Sequence, residues 1–181
     1  MAFICVVPVH LPQESLLIPL LEHISSSFHR ETRIVFLPID PSFAYDHSRK
    51  QHNSSLLLAK LVDIKPKDAL RIVGVTDLDL FIPILTFVFG EAQLSGPASI
   101  VSTQRLRNEF YGLPKNDGLL QQRLEKEAIH ELGHTFGLVH CRNDLCVMRP
   151  STYVENIDLK PPQLCYSCLK TIDEKLKAIP P

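Results

Sequence analysis

The chain lacks an excess of charge of either sign: 19 basic side chains stand against 20 acidic ones, a formal net charge of −1 over 181 residues. No Lys/Arg cluster offsets that balance locally, so no electrostatic footprint for nucleic acid exists. Long apolar runs are missing too, and nothing approaches the roughly 18 consecutive apolar residues of a membrane span. The opening MAFICVVPVH is apolar but has no basic start and is interrupted by Pro8 and His10, so it reads as a strand rather than a secretion signal. There is no tryptophan, no internal repeat, no low-complexity tract and no linker-like stretch. With 45% apolar and 22% charged residues, disordered, collagen-like and coiled-coil readings are excluded. A chain of this length buries about 70% of its unfolded surface, enough for a core without disulfides. One domain over residues 1–181 is expected, cytoplasmic and monomeric, with no nucleic-acid or membrane partner.

What is present begins as alternating strand-like and helix-like runs. FICVVPV (residues 3–9) has the continuous apolar character of a buried strand. Residues 12–28 carry Leu16, Leu17, Leu20, Leu21 and Ile24 at helical spacing, with Pro19 expected to kink or restart the helix. Residues 32–39 read as a second strand, 54–62 as a helix capped by Ser54 or Ser55, and 69–76 as a third strand. Two β-like runs, 86–92 and 99–106, then follow with only a Gly96-Pro97 turn signal between them. An antiparallel edge strand added to a β-α-β-α-β start accounts for that change, giving a mixed α/β (α+β) fold. From Asp117, the expected cap, Leu120, Leu124, Ala128 and Leu132 line one face of a long helix that should stop near Gly137. Residues 171–178 suit a short closing helix.

On that long helix the sequence runs His-Glu-Leu-Gly-His-Thr-Phe-Gly-Leu-Val-His over residues 130–140. His130 and His134 are four apart, so both imidazoles leave one helix face and can chelate one ion. Glu131 sits where a carboxylate can reach a metal-bound water without itself being a ligand. Gly137 permits a sharp reversal that returns His140 as a third nitrogen. Three neutral histidines leave Zn²⁺ its full charge and a fourth position for water, the layout of a catalytic site.

Four of the five cysteines form two close pairs, Cys141-x4-Cys146 and Cys165-x2-Cys168, separated by 18 residues. That spacing fits a closed, tetrahedral, structural zinc site. Disulfides would need an oxidising compartment, and a thioredoxin-type reading of the second pair lacks its strand-to-helix context. A zinc here would fix the loop carrying His140 and Met148. Cys5 reads as a core thiol.

The extended histidine motif, with Met148 eight residues beyond His140, resembles the metzincin clan of zinc peptidases and their methionine turn. Cys141 directly after the third histidine, and the cysteines framing Met148, resemble the archaemetzincins in particular, as do the stretches FVFGEA and VSTQRL. The resemblance implies a twisted mixed sheet with an active-site helix and a small zinc-bound C-terminal part (141–181). It also implies two Zn²⁺ per chain: a catalytic ion on His130, His134 and His140 with Glu131 as general base and acid, and a structural ion on the four cysteines. Met148 would pack beneath the site, and the substrate would be a peptide or protein. FVFGEA is a candidate edge strand for pairing with an extended peptide. Tyr153 is a candidate oxyanion partner, at a spacing unlike that of the usual methionine-turn tyrosine. Asp77 and Asp79 read as a solvated turn, Lys126 and Glu127 as solvent-exposed helix positions, and His10, His23, His29, His47 and His52 as surface or satisfied core residues. A zinc-stabilised binding module without catalysis, or a hydrolase of another amide, are the competing readings; Glu131 beside an open metal position argues against the first.

Overall fold

A computed structural model describes residues 2–178. In chain order the elements are β1 (Phe3–Val9), α1 (Leu17–Phe28), β2 (Thr32–Ile34), β3 (Tyr45–Asp46), β4 (Gln51–Asn53), α2 (Ser54–Ile64), β5 (Ala69–Thr76), β6 (Leu80–Phe81), β7 (Gly90–Ala92), β8 (Ala98–Ser102), α3 (Asp117–Thr135), α4 (Val154–Leu159) and α5 (Tyr166–Lys177). The main sheet has the order β2-β1-β5-β8-β7. Its first four strands are parallel, and β7 closes one edge antiparallel to β8, as the sequence pattern anticipates.

The apolar character of β1 follows from burial on both faces. Ile4 and Val6 join the core under α1 and α3, whereas Phe3, Cys5, Val7 and Val9 join the one under α2. Period-two alternation thus divides one strand between two cores. The close approach of α2 depends on Gly74, where a Cβ would stand 2.7 Å from Leu61 Cδ1.

Several elements depart from the sequence reading. Residues 14–16 form a 3₁₀ turn and α1 starts only at Leu17, so Pro19 falls in its first turn, where no intrahelical N–H bond is lost. β2 stops at Ile34 instead of running to residue 39. The residues of β1 that bond this edge are Ile4, from its N–H to Glu31, and Val6, from its carbonyl to Val35; the next on that side is Pro8, which has no N–H to offer. The 86–92 run is strand only from Gly90, because Val88 bridges instead to Leu80 of a small second sheet, β3-β4-β6. The caps also shift by one residue: Asn53 caps α2 and Asn116 caps α3, each with its side-chain oxygen on backbone N–H groups, so Asp117 is the first helical residue. The closing helix α5 begins at Tyr166, earlier than expected, and α4 has no counterpart in the sequence reading. No helix among the described residues is long and apolar enough to cross a membrane.

Candidate active site

Leu120, Leu124, Ala128 and Leu132 anchor α3 in the core, and the helix packs against β7 and β8. His130, Glu131 and His134 emerge there. The helix ends in a Schellman arrangement: Gly137 N–H donates to His134 O at 2.9 Å and Leu138 N–H to Gly133 O at 3.1 Å, with Gly137 at φ +89°. This reversal returns His140, whose ring centroid lies 5.3 Å from that of His130 and 5.1 Å from that of His134.

The donor set fits a cation. His130 Nδ1 faces Val147 O at 2.9 Å and His134 Nδ1 faces Leu138 O at 2.7 Å. Carbonyl partners place a proton on each Nδ1 and leave Nε2 as a lone pair. The two Nε2 atoms stand 3.1 Å apart, close to the roughly 3.4 Å separating nitrogens on a tetrahedral zinc. Burial drives the His130 pKa well below its ordinary value and lowers those of His134 and His140, so all three offer neutral nitrogen. One ligand atom from each histidine lies within 4.8 Å of the others.

Glu131 is 7% exposed, and burial, reinforced by the neighbouring charge of Glu127, raises its pKa well above the carboxylate range. Its place depends on Gly90 of the edge strand. A Cβ there would stand 2.7 Å from Glu131 Cγ and 2.6 Å from Ile100 O. The cleft continues to both sides of these residues. One cavity of about 330 Å³ runs past Phe87, Phe89, Glu127 and the 150–152 segment; another of about 430 Å³ runs past Ala92, Leu94, His134 and Val139.

The four cysteines that spacing brought together are also together in space. Cys141 and Cys165 Sγ are 3.9 Å apart and Cys146 and Cys168 Sγ 3.8 Å apart, with all four sulfurs within 4.8 Å of one another. Four thiolates about 2.3 Å from a tetrahedral zinc stand roughly 3.8 Å apart, whereas a disulfide needs about 2.05 Å. Backbone N–H groups of Asn143 and Cys165 point at Cys141 and Cys146 sulfur. Cys141 N–H donates to Met148 O at 3.0 Å, which joins this cluster to the methionine. Met148 is fully buried with its thioether against Gly133, one residue before His134, where any side chain would collide with it. Cys5 is a buried thiol with its pKa pushed up to about 11 by burial.

A model of peptidase family M54 matches residues 34–174. The chain belongs to the archaemetzincins. It is 45% identical to archaemetzincin of Methanocaldococcus jannaschii over 135 residues, covering 75% of this chain and 73% of that one. Identity to archaemetzincin of Thermococcus kodakarensis is 42% over 137 residues, covering 75% and 74%. The fold superposes on the crystal structure of archaemetzincin from Methanopyrus kandleri with a TM-score of 0.82 at 34% identity, over 97% of this chain and 96% of that one. A zinc-dependent peptidase from Methanocorpusculum labreanum gives a TM-score of 0.80 at 29% identity, over 93% and 99%. Family membership makes the chain a zinc metallopeptidase.

Other archaemetzincin residues lie where the sequence reading did not put them. Lys126 and Glu127 are buried, 8% and 3% exposed: Lys126 Nζ donates to Ile157 O at 2.9 Å, and Glu127 pairs with buried Lys160 at 2.8 Å. These groups clamp α3 to α4, a partner the sequence reading did not contain. Asp79 is no solvated turn residue, since Arg105 grips it through two nitrogens and Gln51 donates to it. Tyr153 is 66% exposed at the start of α4 and lines neither cavity. His10, His23, His29, His47 and His52 join no metal-sized cluster among the described residues. Glu127, Lys160 and Gly90 were missed. For Glu127 a signal existed, because it precedes His130 by three residues and Glu131 by four, the same helix face.

Proposed function

We propose that the chain hydrolyses peptide bonds at His130, Glu131, His134 and His140, as one catalytic domain over residues 1–181 with a zinc-held part at 141–181. The observation that carries this reading is the pair of Nε2 lone pairs 3.1 Å apart, each locked by a carbonyl behind it, beside a buried carboxylate in an open cleft. Such a donor set without a cation would be two lone pairs in mutual repulsion.

His130, His134 and His140 would hold the catalytic zinc, which when bound supplies Lewis acidity toward a carbonyl and an acidified water. Glu131 takes the proton of the attacking water and hands it to the leaving amine. Its burial suits the task, because a carboxylate with raised proton affinity is a better base. The free edge of β7 can pair with the backbone of an extended peptide, which gives affinity with little sequence preference. A second, structural zinc on Cys141, Cys146, Cys165 and Cys168 would be closed to water and would hold the 141–148 loop, and with it His140 and Met148. Two Zn²⁺ per chain, a cytoplasmic monomer, and no nucleic-acid or membrane partner complete the proposal.

The test is digestion of a mixed peptide library by zinc-reconstituted protein, read by mass spectrometry, with Glu131→Gln in parallel. Cleavage that disappears in the variant supports the proposal. Equal cleavage in both points to a contaminant, and none in either, with the histidine zinc shown to be present, favours a binding module.

A further inference from the structure

A scattered exposed aliphatic side chain needs no explanation, but here three of them surround one cavity. Leu85, Leu94 and Val139 are 49%, 58% and 66% exposed, and all line the cavity of about 430 Å³ that also holds His130, Glu131, His134 and His140. Each stands on a fastened segment. Arg49 donates to Leu85 O at 2.7 Å. Ser95 N–H donates to His134 O at 2.9 Å, which ties the β7–β8 turn carrying Leu94 to the end of α3. Val139 follows the reversal at Gly137, which packs so closely on that turn that a Cβ would stand 2.9 Å from Ser95 Oγ. The fold thus holds three aliphatic groups in water at the mouth of the histidine cleft, beside Ile82 and Val88. No Lys or Arg among the described residues lines this cavity. Of its carboxylates, Glu91 is taken up by the hydroxyls of Ser54 and Ser55 on α2, and Glu131 is buried.

The edge strand gives this flank a direction. Gly90 is the residue beside Glu131, and the chain runs from it through Ala92 to Leu94 at this cavity. A peptide pairing antiparallel to β7, the more stable arrangement per residue, runs from Ala92 toward Gly90. The cavity then faces the residue on the N-terminal side of the bond to be cut. We propose that Leu85, Leu94 and Val139 determine specificity there: the cavity takes a large aliphatic or aromatic side chain immediately before the scissile bond and rejects a charged one. The assignment rests on the cleft being the peptide-binding site of the hydrolase proposed above.

The experiment is competitive cleavage of peptides that differ only as Leu, Ala or Asp immediately before the cut, beside a second set that differs likewise immediately after it. Leu before the cut should be favoured over Ala at least about tenfold. Leu94 is the residue to change, because it lies in an exposed turn and lines this cavity but not the one at Phe87. Leu94→Lys places a cation at the mouth and should lower the Leu/Asp ratio before the cut about tenfold, with the second set unmoved. Leu94→Ala, which asks nothing new of the fold, should lower the Leu/Ala ratio about threefold. Equal cleavage of the Leu and Ala peptides by wild-type protein, or a Leu/Asp ratio that Leu94→Lys leaves unchanged, would overturn the proposal. So would a change confined to the second set. A further readout needs no turnover: calorimetric binding of N-acetyl-leucine hydroxamate and N-acetyl-alanine hydroxamate to zinc-loaded protein, since the metal-binding group fixes the side chain on the N-terminal flank. The leucine compound should bind about tenfold tighter, and a ratio near one also overturns the proposal. Selective binding with no peptide cleaved would keep the pocket assignment and sink the peptidase reading instead.

Discussion

The histidine cluster and the cysteine cluster lie on either side of one short loop, yet they are built in opposite ways. Two of the three histidines stand on a 19-residue helix whose core face and Schellman terminus are complete without any ion, the third follows its terminal turn, and all three open onto a cleft. The cysteines stand on a loop and at the start of α5, with sulfur atoms facing one another and little regular structure between Cys141 and Val154. One centre is carried by the fold. The other is proposed to carry part of the fold. A metal proposed for the first should therefore matter to chemistry, and one proposed for the second should matter to stability.

Glu131→Gln is the sharpest break on the chemical side. Removing a general base and acid costs about 10²–10⁴ in kcat. Zinc content and circular dichroism should stay as in wild type, because the amide fills the same space. Loss of a zinc from this variant would show that Glu131 is a ligand rather than a proton carrier.

The contrast itself is tested by removing one ligand from each cluster. His134→Ala should bring zinc from two to one per chain and end activity, with Tm shifted by only a few degrees. Cys168→Ser should also leave one zinc but destabilise by more than about 3 kcal/mol, roughly 10 °C for a chain of this length. Equal Tm losses in the two variants, read by calorimetry beside metal analysis, would erase the distinction between them.

Legibility in the sequence divides along the same line. Both clusters were readable, because a chelate imposes short fixed spacings: three residues between His130 and His134, two residues between Cys165 and Cys168. The parallel strands were readable because two buried faces demand unbroken apolar runs such as FICVVPV. What escaped was set by contacts far apart in the chain. Six-residue α4 is held by Arg123, which grips Asp158 through two hydrogen bonds of 2.7 Å, and by Lys126, neither of which marks its partner by spacing. Glu127 looks like any helix-surface carboxylate until Lys160 is placed beside it. Pro8 shows its effect only through the edge that it faces, by stopping β2.

Gly90→Ala probes the chemical centre from outside the helix. The added methyl meets Glu131 Cγ at 2.7 Å and Ile100 O at 2.6 Å, and since β8 backbone is the stiffer neighbour, the glutamate should move. A displacement near 1 Å costs about 100-fold in rate, while zinc stoichiometry should stay at two. Unchanged kcat would mean that the edge strand yields and that Glu131 is positioned by α3 alone.

The smallest expected effect concerns the metal-free protein and the cost of keeping Glu131 buried. Burial raises its folded-state pKa well above the unfolded value near 4.5, so above that pH the folded state holds a proton that the unfolded state has released. The contribution of Glu131 to stability is therefore full below about pH 4.5 and is lost as pH rises through the folded-state pKa. Glu131→Gln, neutral at every pH, escapes that loss. Apo Glu131→Gln should match apo wild type at pH 4 and exceed it at pH 7 by a few degrees in Tm, at roughly 2–4 °C per kcal/mol. Buried His130 works in the opposite sense, since its lowered pKa makes the apo fold gain stability as pH rises toward 6.5, above which the gain is complete, but it does so equally in both proteins and drops out of the difference. Thermal melts of the two apoproteins from pH 4 to 8 isolate the carboxylate. A gap that stays constant with pH would mean that Glu131 is solvated in the metal-free cleft, and the strong base assigned to it would lose its physical origin.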